Sequence, residues 1–175
     1  MRAQQKWFDR KFKFDLSIDE FPALVERLRE TPERLVALCG SLPVQTLTRR
    51  EGDTWTISEN VGHLFDLEPI WAGRLDDFLN GAERLRPADL ENRKTHEANH
   101  NESSINHLIS EFRVIREQFV ARLDDLNPDQ VSLTALHPRL DQPMRVIDSV
   151  FFVAEHDDHH LDRINHLAQV FRKSR

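Results

Sequence analysis

The chain has 175 residues, 39% of them hydrophobic, a formal net charge of −6 and a single cysteine, which suits one domain with its own core and excludes an internal disulfide. The acidic balance argues against a nucleic-acid surface, which needs concentrated Lys and Arg, and five glycines with no tyrosine favour helices over a turn-rich all-β fold. The longest apolar run, Val150 to Ala154, is far too short to span a bilayer and no signal-peptide core opens the chain, so a soluble, cytoplasmic protein without a membrane partner is expected.

Residues 1–18 read as an N-terminal extension whose basic "RKFK" (Arg10 to Lys13) is a solvated arm, and residues 19–175 as one domain. The first helix is expected from about Asp19 to Cys39 on the stripe Phe21, Leu24, Leu28, Leu35 and Leu38, with Pro32 kinking or restarting it. The second opens on the capping box Thr56-Ile57-Ser58-Glu59 and carries Ile57, Val61, Leu64, Trp71, Leu75 and Phe78, bent at Pro69. The third is capped by Ser103 or Ser104 and carries Ile105, Leu108, Phe112, Ile115, Phe119 and Leu123 until Asn127-Pro128 stops it. The fourth runs from about Met144 to Phe171 on Ile147, Val150, Ala154, Leu161, Ile164 and Ala168. Four such amphipathic helices bury their stripes as an all-α, antiparallel four-helix bundle. The connections of about 81–102 and 128–143 are long enough to wall a site.

Two histidine clusters compete for a metal. "THEANH" (Thr95 to His100) contains HExxH, which on a buried helix would place two histidines on one face and a glutamate beside metal-bound water. Its surroundings, "ENRKTHEANHNESS", carry no apolar stripe, and the third histidine that the longer zinc-protease pattern requires is Asn106. A polar loop with solvated His96 and His100 is the better reading. His107 and His137 are likewise expected to be solvated.

In "AEHDDHHLDRINHL" (Ala154 to Leu167), His156 and His160 lie about 40° apart on one helical face, at one edge of the apolar stripe. That spacing lets one helix give two nitrogens to one ion. The bland alternative is a pair of partly buried histidines held by core hydrogen bonds. His63 on the second helix, beside Val61 and Leu64, is the candidate third ligand, although a lone His63 reads as an ordinary core-edge histidine. Asp157 falls in the middle of the stripe and needs a partner: it either supports a ligand histidine or makes a buried structural bond. Arg163, three residues beyond His160, is a substrate candidate or a surface ion pair, and Asp66 is a weaker candidate. Cys39 is not placed near this site.

Around these residues the sequence resembles the DinB/YfiT-like family of four-helix-bundle metalloproteins. "TWTISENVGHLFDLE" (Thr54 to Glu68) looks like that family's Trp-Ser-x-x-Glu followed by His-Leu, "AEHDDHHLDRI" (Ala154 to Ile164) like its terminal helix, and "LHPRLDQPMRVID" (Leu136 to Asp148) like the approach to it. The likeness spans roughly Leu24 to Leu167. It implies His63, His156 and His160 as ligands of one divalent metal, zinc or nickel foremost, with iron or manganese as alternatives. The family includes transferases and isomerases that use low-molecular-weight thiols, and proteins described as metal-dependent hydrolases. The chain departs from the pattern in its N-terminal extension and in Thr56 where Ser is common; neither is expected to touch a predicted ligand.

Three neutral imidazoles leave the ion its full charge, which acidifies a bound water or thiol. The expectation is therefore a metal-dependent enzyme acting on a small molecule by hydrolysis or thiol transfer, with a homodimer among the expected assemblies. The alternative is a noncatalytic metal-binding or stress-response bundle whose histidines stabilise helix packing; an HExxH peptidase is disfavoured.

Overall fold

Long helices form here where the sequence supplies both a start signal and an apolar stripe. The computed structural model describes residues 6–173, so the outer ends of the predicted extension and domain lie outside the described residues. Four long helices are present: α1 (Phe21–Cys39), α2 (Ile57–Leu79), α3 (Ile105–Asp124) and α4 (Val146–Lys173). At the start of α2 the Thr56 hydroxyl accepts from the Glu59 amide at 3.1 Å and the Glu59 carboxylate accepts from the Thr56 amide at 2.8 Å, the reciprocal cap that the sequence predicts. Ser104 caps α3 by accepting from the His107 amide.

Pro32 does not restart α1, which runs unbroken through it. A proline at 32 leaves the Leu28 carbonyl without its helical donor. Arg116 from α3 supplies one instead, Nη1 donating to Leu28 O at 3.2 Å. α2 likewise continues through Pro69.

One half of the core joins the first part of α1, the last parts of α2 and α3 and the first part of α4; the other half joins the opposite ends. α1 and α4 therefore run one way and α2 and α3 the other. Each helix packs on two neighbours, α1 and α2 both lying between α3 and α4. The neighbours α1/α3 and α2/α4 are antiparallel, while α2/α3 and α1/α4 are parallel. The expected all-α four-helix bundle forms with this less simple connectivity because residues 80–104 carry the chain back along the bundle before α3 begins. The connection into α4 adds a hairpin that the helical stripes did not predict, β1 (Thr134–Leu136) antiparallel to β2 (Pro143–Arg145), with Ala135 opposite Met144. No helix among the described residues is long and apolar enough to cross a membrane.

The N-terminal segment is not a solvated arm. Trp7, Phe12 and Phe14 pack against the core, and Arg10 lies over the Trp7 and Phe12 rings and pairs with Glu155.

Each of three apolar stripes is interrupted by one charged residue: Glu68 on α2, Arg116 on α3 and Asp157 on α4. In the folded chain these three meet. Arg116, 1% exposed, donates to Glu68 at 2.7 and 3.1 Å and to both oxygens of Asp157, and Thr31 donates to Asp157 at 2.8 Å. Burial disfavours the guanidinium charge, yet Asp157 and Glu68 together hold its pKa above the ordinary value; burial also pushes the Glu68 carboxyl upward against the pull of Arg116. Removing one partner of such a buried set strands the others. Arg116→Met is expected to lower the unfolding free energy by roughly 3–5 kcal/mol in urea denaturation followed by circular dichroism. A loss of about 1 kcal/mol or less, the value of an exposed pair, would show that the set does not hold the helices together.

Candidate metal centre

His63 on α2 and His156 and His160 on α4 are buried, and each offers a ring nitrogen within 4.8 Å of the other two. The helical spacing of 156 and 160 stacks both rings on the side of α4 that packs against α2. Neighbouring groups fix two of the tautomers. The single Thr95 hydroxyl proton is donated to Asp66 Oδ2 at 2.9 Å, so Thr95 Oγ1 accepts from His63 Nδ1 at 3.0 Å. Asn60 Nδ2 donates to Thr56 O at 2.7 Å, which turns its carbonyl oxygen to His160 Nδ1 at 2.8 Å. In both rings the proton therefore sits on Nδ1 and the lone pair on Nε2. His156 Nδ1 is buried with no hydrogen-bond partner among the described residues.

Burial pushes His63 down to about 4, the nearby imidazoles assisting and Asp66 opposing. His156 and His160 lie well below the usual histidine range, chiefly through burial, then through His63 for His156 and through His156 and His63 for His160. All three are neutral imidazoles at physiological pH, the form that binds a metal. An orphaned buried ring nitrogen and two pre-set Nε2 lone pairs suit a soft-to-borderline divalent ion. They sit on the floor of a cavity of about 1440 Å³. Trp7 and Trp71 meet His156 edge-on at 4.9 and 5.8 Å, and Trp55 lies against His63 at 4.6 Å. As their lengths suggest, both long connections wall the cavity, through Pro87 to Leu90 and through His137 to Arg139.

The DinB superfamily sequence model matches residues 27–164, which takes in all of α2 and the part of α4 that carries His156 and His160. The chain belongs to the DinB superfamily. A solved structure, YfiT from Bacillus subtilis, aligns with a TM-score of 0.82 over 93% of each chain at 18% identity, and is described as "a probable metal-dependent hydrolase with an unusual four-helix bundle topology". At that identity the likeness is one of fold. No functionally curated protein matches the chain in sequence at a significant level.

In this DinB-superfamily chain the other sequence-predicted residues are spread around the centre. Asp66 does not touch the cluster directly; it accepts from Thr95 and contacts His100 Nε2 at 2.8 Å. Burial works against its charge, but those hydrogen bonds hold its carboxyl below the ordinary value. Asp157 bonds Arg116 and Thr31. Arg163 lines the cavity and pairs with Thr54 and Glu51.

Two expectations are corrected. His100 and His137 are buried rather than solvated: His100 bonds Asp66, and His137 Nδ1 accepts the amides of Arg139 and Leu140 at 3.2 and 3.1 Å. The N-terminal extension does touch a predicted ligand, through Trp7 on His156. "THEANH" is split between a helical turn, Arg93–Glu97, and a short 3-10 turn that starts at His100, with left-handed Asn92 and Asn99 before them, so His96 is exposed at the edge of Trp55 while His100 turns inward. Gly62 is what lets His100 in: a Cβ there would lie 2.2 Å from the imidazole.

Sequence reasoning missed Thr95, Asn60 as the partner of His160, and His137. Asn60 was within reach, three residues before His63 on the same helical face. Thr95 and His137 sit on connections and carried no periodic signal.

Burial, with Arg74 and Arg139 nearby, pushes folded His137 down to about 3, whereas an unfolded imidazole titrates near about 6.5. Below about pH 6.5 the unfolded chain takes up a proton that the folded chain refuses, so stability falls as pH drops through that value toward about 3. His137→Gln is expected to flatten this decline in urea denaturation at a series of pH values. An unchanged slope would show that folded His137 protonates as readily as the unfolded residue.

Proposed function

We propose that this chain is a metal-dependent enzyme that holds one divalent ion, zinc or nickel foremost and iron or manganese otherwise, on His63, His156 and His160, and acts on a small molecule by hydrolysis or thiol transfer. The observation that carries the reading is the convergence of three buried neutral imidazoles, two with Nε2 lone pairs set by Thr95 and Asn60 and one with an unpartnered buried nitrogen, on the floor of a large cavity. Histidines that served packing alone would have their buried nitrogens paired with protein groups. When bound, such an ion acidifies a water or a thiol toward neutral pH.

The residues of the chain supply the rest. Asp66, His100 and Thr95 form a hydrogen-bonded series that fixes His63, and Asn60 fixes His160. Trp7, Trp55 and Trp71 pack against the rings and give the cluster a largely apolar surround, in which electrostatic interactions are stronger than in bulk water. The cavity exceeds the range of about 300–1,000 Å³ usual for a single small ligand. It leaves room for a low-molecular-weight thiol beside an electrophile, which supports thiol transfer as much as hydrolysis. A cytoplasmic setting, a homodimer and the division into an extension of residues 1–18 and one domain belong to the same reading.

Metal content distinguishes the readings. Wild type and His96→Ala are expected to retain a single equivalent after dialysis, and His160→Ala to lose it. Loss in His96→Ala alone would move the centre to "THEANH", and no metal in wild type even after reconstitution would leave the noncatalytic bundle. The reaction class is read by comparing ester and amide substrates with a bacillithiol- or mycothiol-type donor plus an electrophile, each with and without metal; equal rates in both conditions would count against catalysis.

Thr95→Val keeps the shape of the side chain and removes the hydroxyl on which His63 rests. It is expected to weaken metal binding by roughly 10–100-fold in competition with a chromophoric chelator. Unchanged affinity would show that His63 needs no orienting partner.

A further inference from the structure

Away from the histidine cluster, the cavity wall carries a second group of polar side chains that nothing in the metal centre uses. Arg74 is 3% exposed, and its polar contacts are the Arg86 carbonyl, to which Nε donates at 3.1 Å, and His137 Nε2, 3.2 Å from its Nη1. Arg139 Nη2 is buried with no hydrogen-bond partner among the described residues, and that guanidinium lies over the Phe8 and Phe152 rings. No carboxylate among the described residues hydrogen-bonds or ion-pairs with either arginine. Asp77, the acid nearest Arg74 in charge, is taken by Arg86, and Asp89 of the cavity wall accepts the amides of Glu91 and Arg93.

The protonation of His137 sharpens the imbalance. Its Nδ1 receives two backbone N–H groups, so the proton of the neutral ring is on Nε2. That N–H faces Arg74 Nη1, another donor. Three donors thus meet on one wall of the cavity with no acceptor among them. Buried charge without a counter-charge is expensive. Burial, and the repulsion between the arginines, already lower the Arg74 guanidinium to about 10.

We propose that Arg74, His137 and Arg139 form an oxyanion-binding subsite that receives the carboxylate or phosphate end of a small-molecule ligand. Two guanidiniums and an imidazole N–H match the lone pairs of such a group and supply charge-assisted bonds. Trp71 links the subsite to the metal centre: Arg74 lies over its ring at 5.5 Å, and the same ring meets His156 at 5.8 Å. A ligand anchored at the arginines lays its body along Trp71, Leu67 and Phe152 and brings its far end to the histidines. That last step rests on the metal-centre reading; the anion subsite itself does not.

Binding of benzoate and of phenyl phosphate, with benzyl alcohol as the uncharged control, is measured by titration calorimetry on full-length protein in chelator and again after zinc loading. Metal-free wild type is expected to bind both anions saturably and to ignore the alcohol, and Arg139→Met to weaken the anions by roughly 10–100-fold, the worth of a charged hydrogen bond. Arg74→Met should act in the same direction. Because Arg74 is buried and that variant can fail to fold, the half-buried Arg139 carries the test. Phosphate ester bound more tightly than carboxylate would identify a phosphorylated ligand, and the reverse order a carboxylic acid.

Absence of saturable anion binding, or equal binding in Arg139→Met, overturns the subsite. Anion binding that appears only with zinc and ignores Arg139 also overturns it while leaving the metal centre standing. Arg139-dependent binding in a protein that takes up no metal upholds the subsite and removes the metal reading.

Discussion

A single guanidinium reaches all four helices. Arg116 rises from α3, bonds Glu68 of α2 and Asp157 of α4, and caps the Leu28 carbonyl of α1 that Pro32 leaves open. A buried charge tolerates little displacement, because every ångström of drift exposes it to an apolar wall. Apolar stripes alone would let α4 rotate or slide against its neighbours at small cost. The fixed bonds of Asp157 set its rotation, and with it the direction in which His156, the preceding residue, and His160, one turn on, are aimed. The geometry of the histidine cluster is thus a consequence of the polar set beneath it, with Glu68 five residues beyond His63 making the same adjustment on α2.

The cavity is built on the opposite logic. Its floor is rigid helix, while its walls come from the connections 80–104 and 125–145 and from the N-terminal segment around Trp7. Helices place the clustered imidazole nitrogens; connections choose what approaches them. This division is common where chemistry is kept on a scaffold and specificity is left to loops. Here the connection between α2 and α3 does more than form a wall, because Thr95 and His100 reach inward and decide which nitrogen of His63 carries its proton.

Much of this was legible in the residues themselves. Spacing alone marked the four helices, the Thr56 cap and the shared face of His156 and His160, because these are local properties that repeat every three or four positions. The position of His63 beside Val61 and Leu64 made it their candidate partner, and the resemblance implies the same three residues. Glu68 and Arg116 carry the same sequence signal as Asp157 on α4, one charge in the middle of an otherwise apolar stripe, but only their meeting in the fold shows what it means. His100 and His137 read as solvated in the sequence because a connection has no period from which burial can be inferred; their inward turn depends on Asp66 and on the amides of 139 and 140. The packing of Trp7 and Phe12 was masked by the lysines and arginines between them.

Gly62 joins the connection to the floor of the cavity. Its missing side chain leaves a notch on the helix next to His63, and the His100 ring fills it. The notch makes no contribution to the bundle's central bonds. Larger residues at 62 would push the connection outward and leave His63 free to choose its tautomer, without disturbing Arg116. The architecture therefore offers separate dials: one position governs whether the protein stands, another how its histidine is tuned, and descent can turn the second without touching the first.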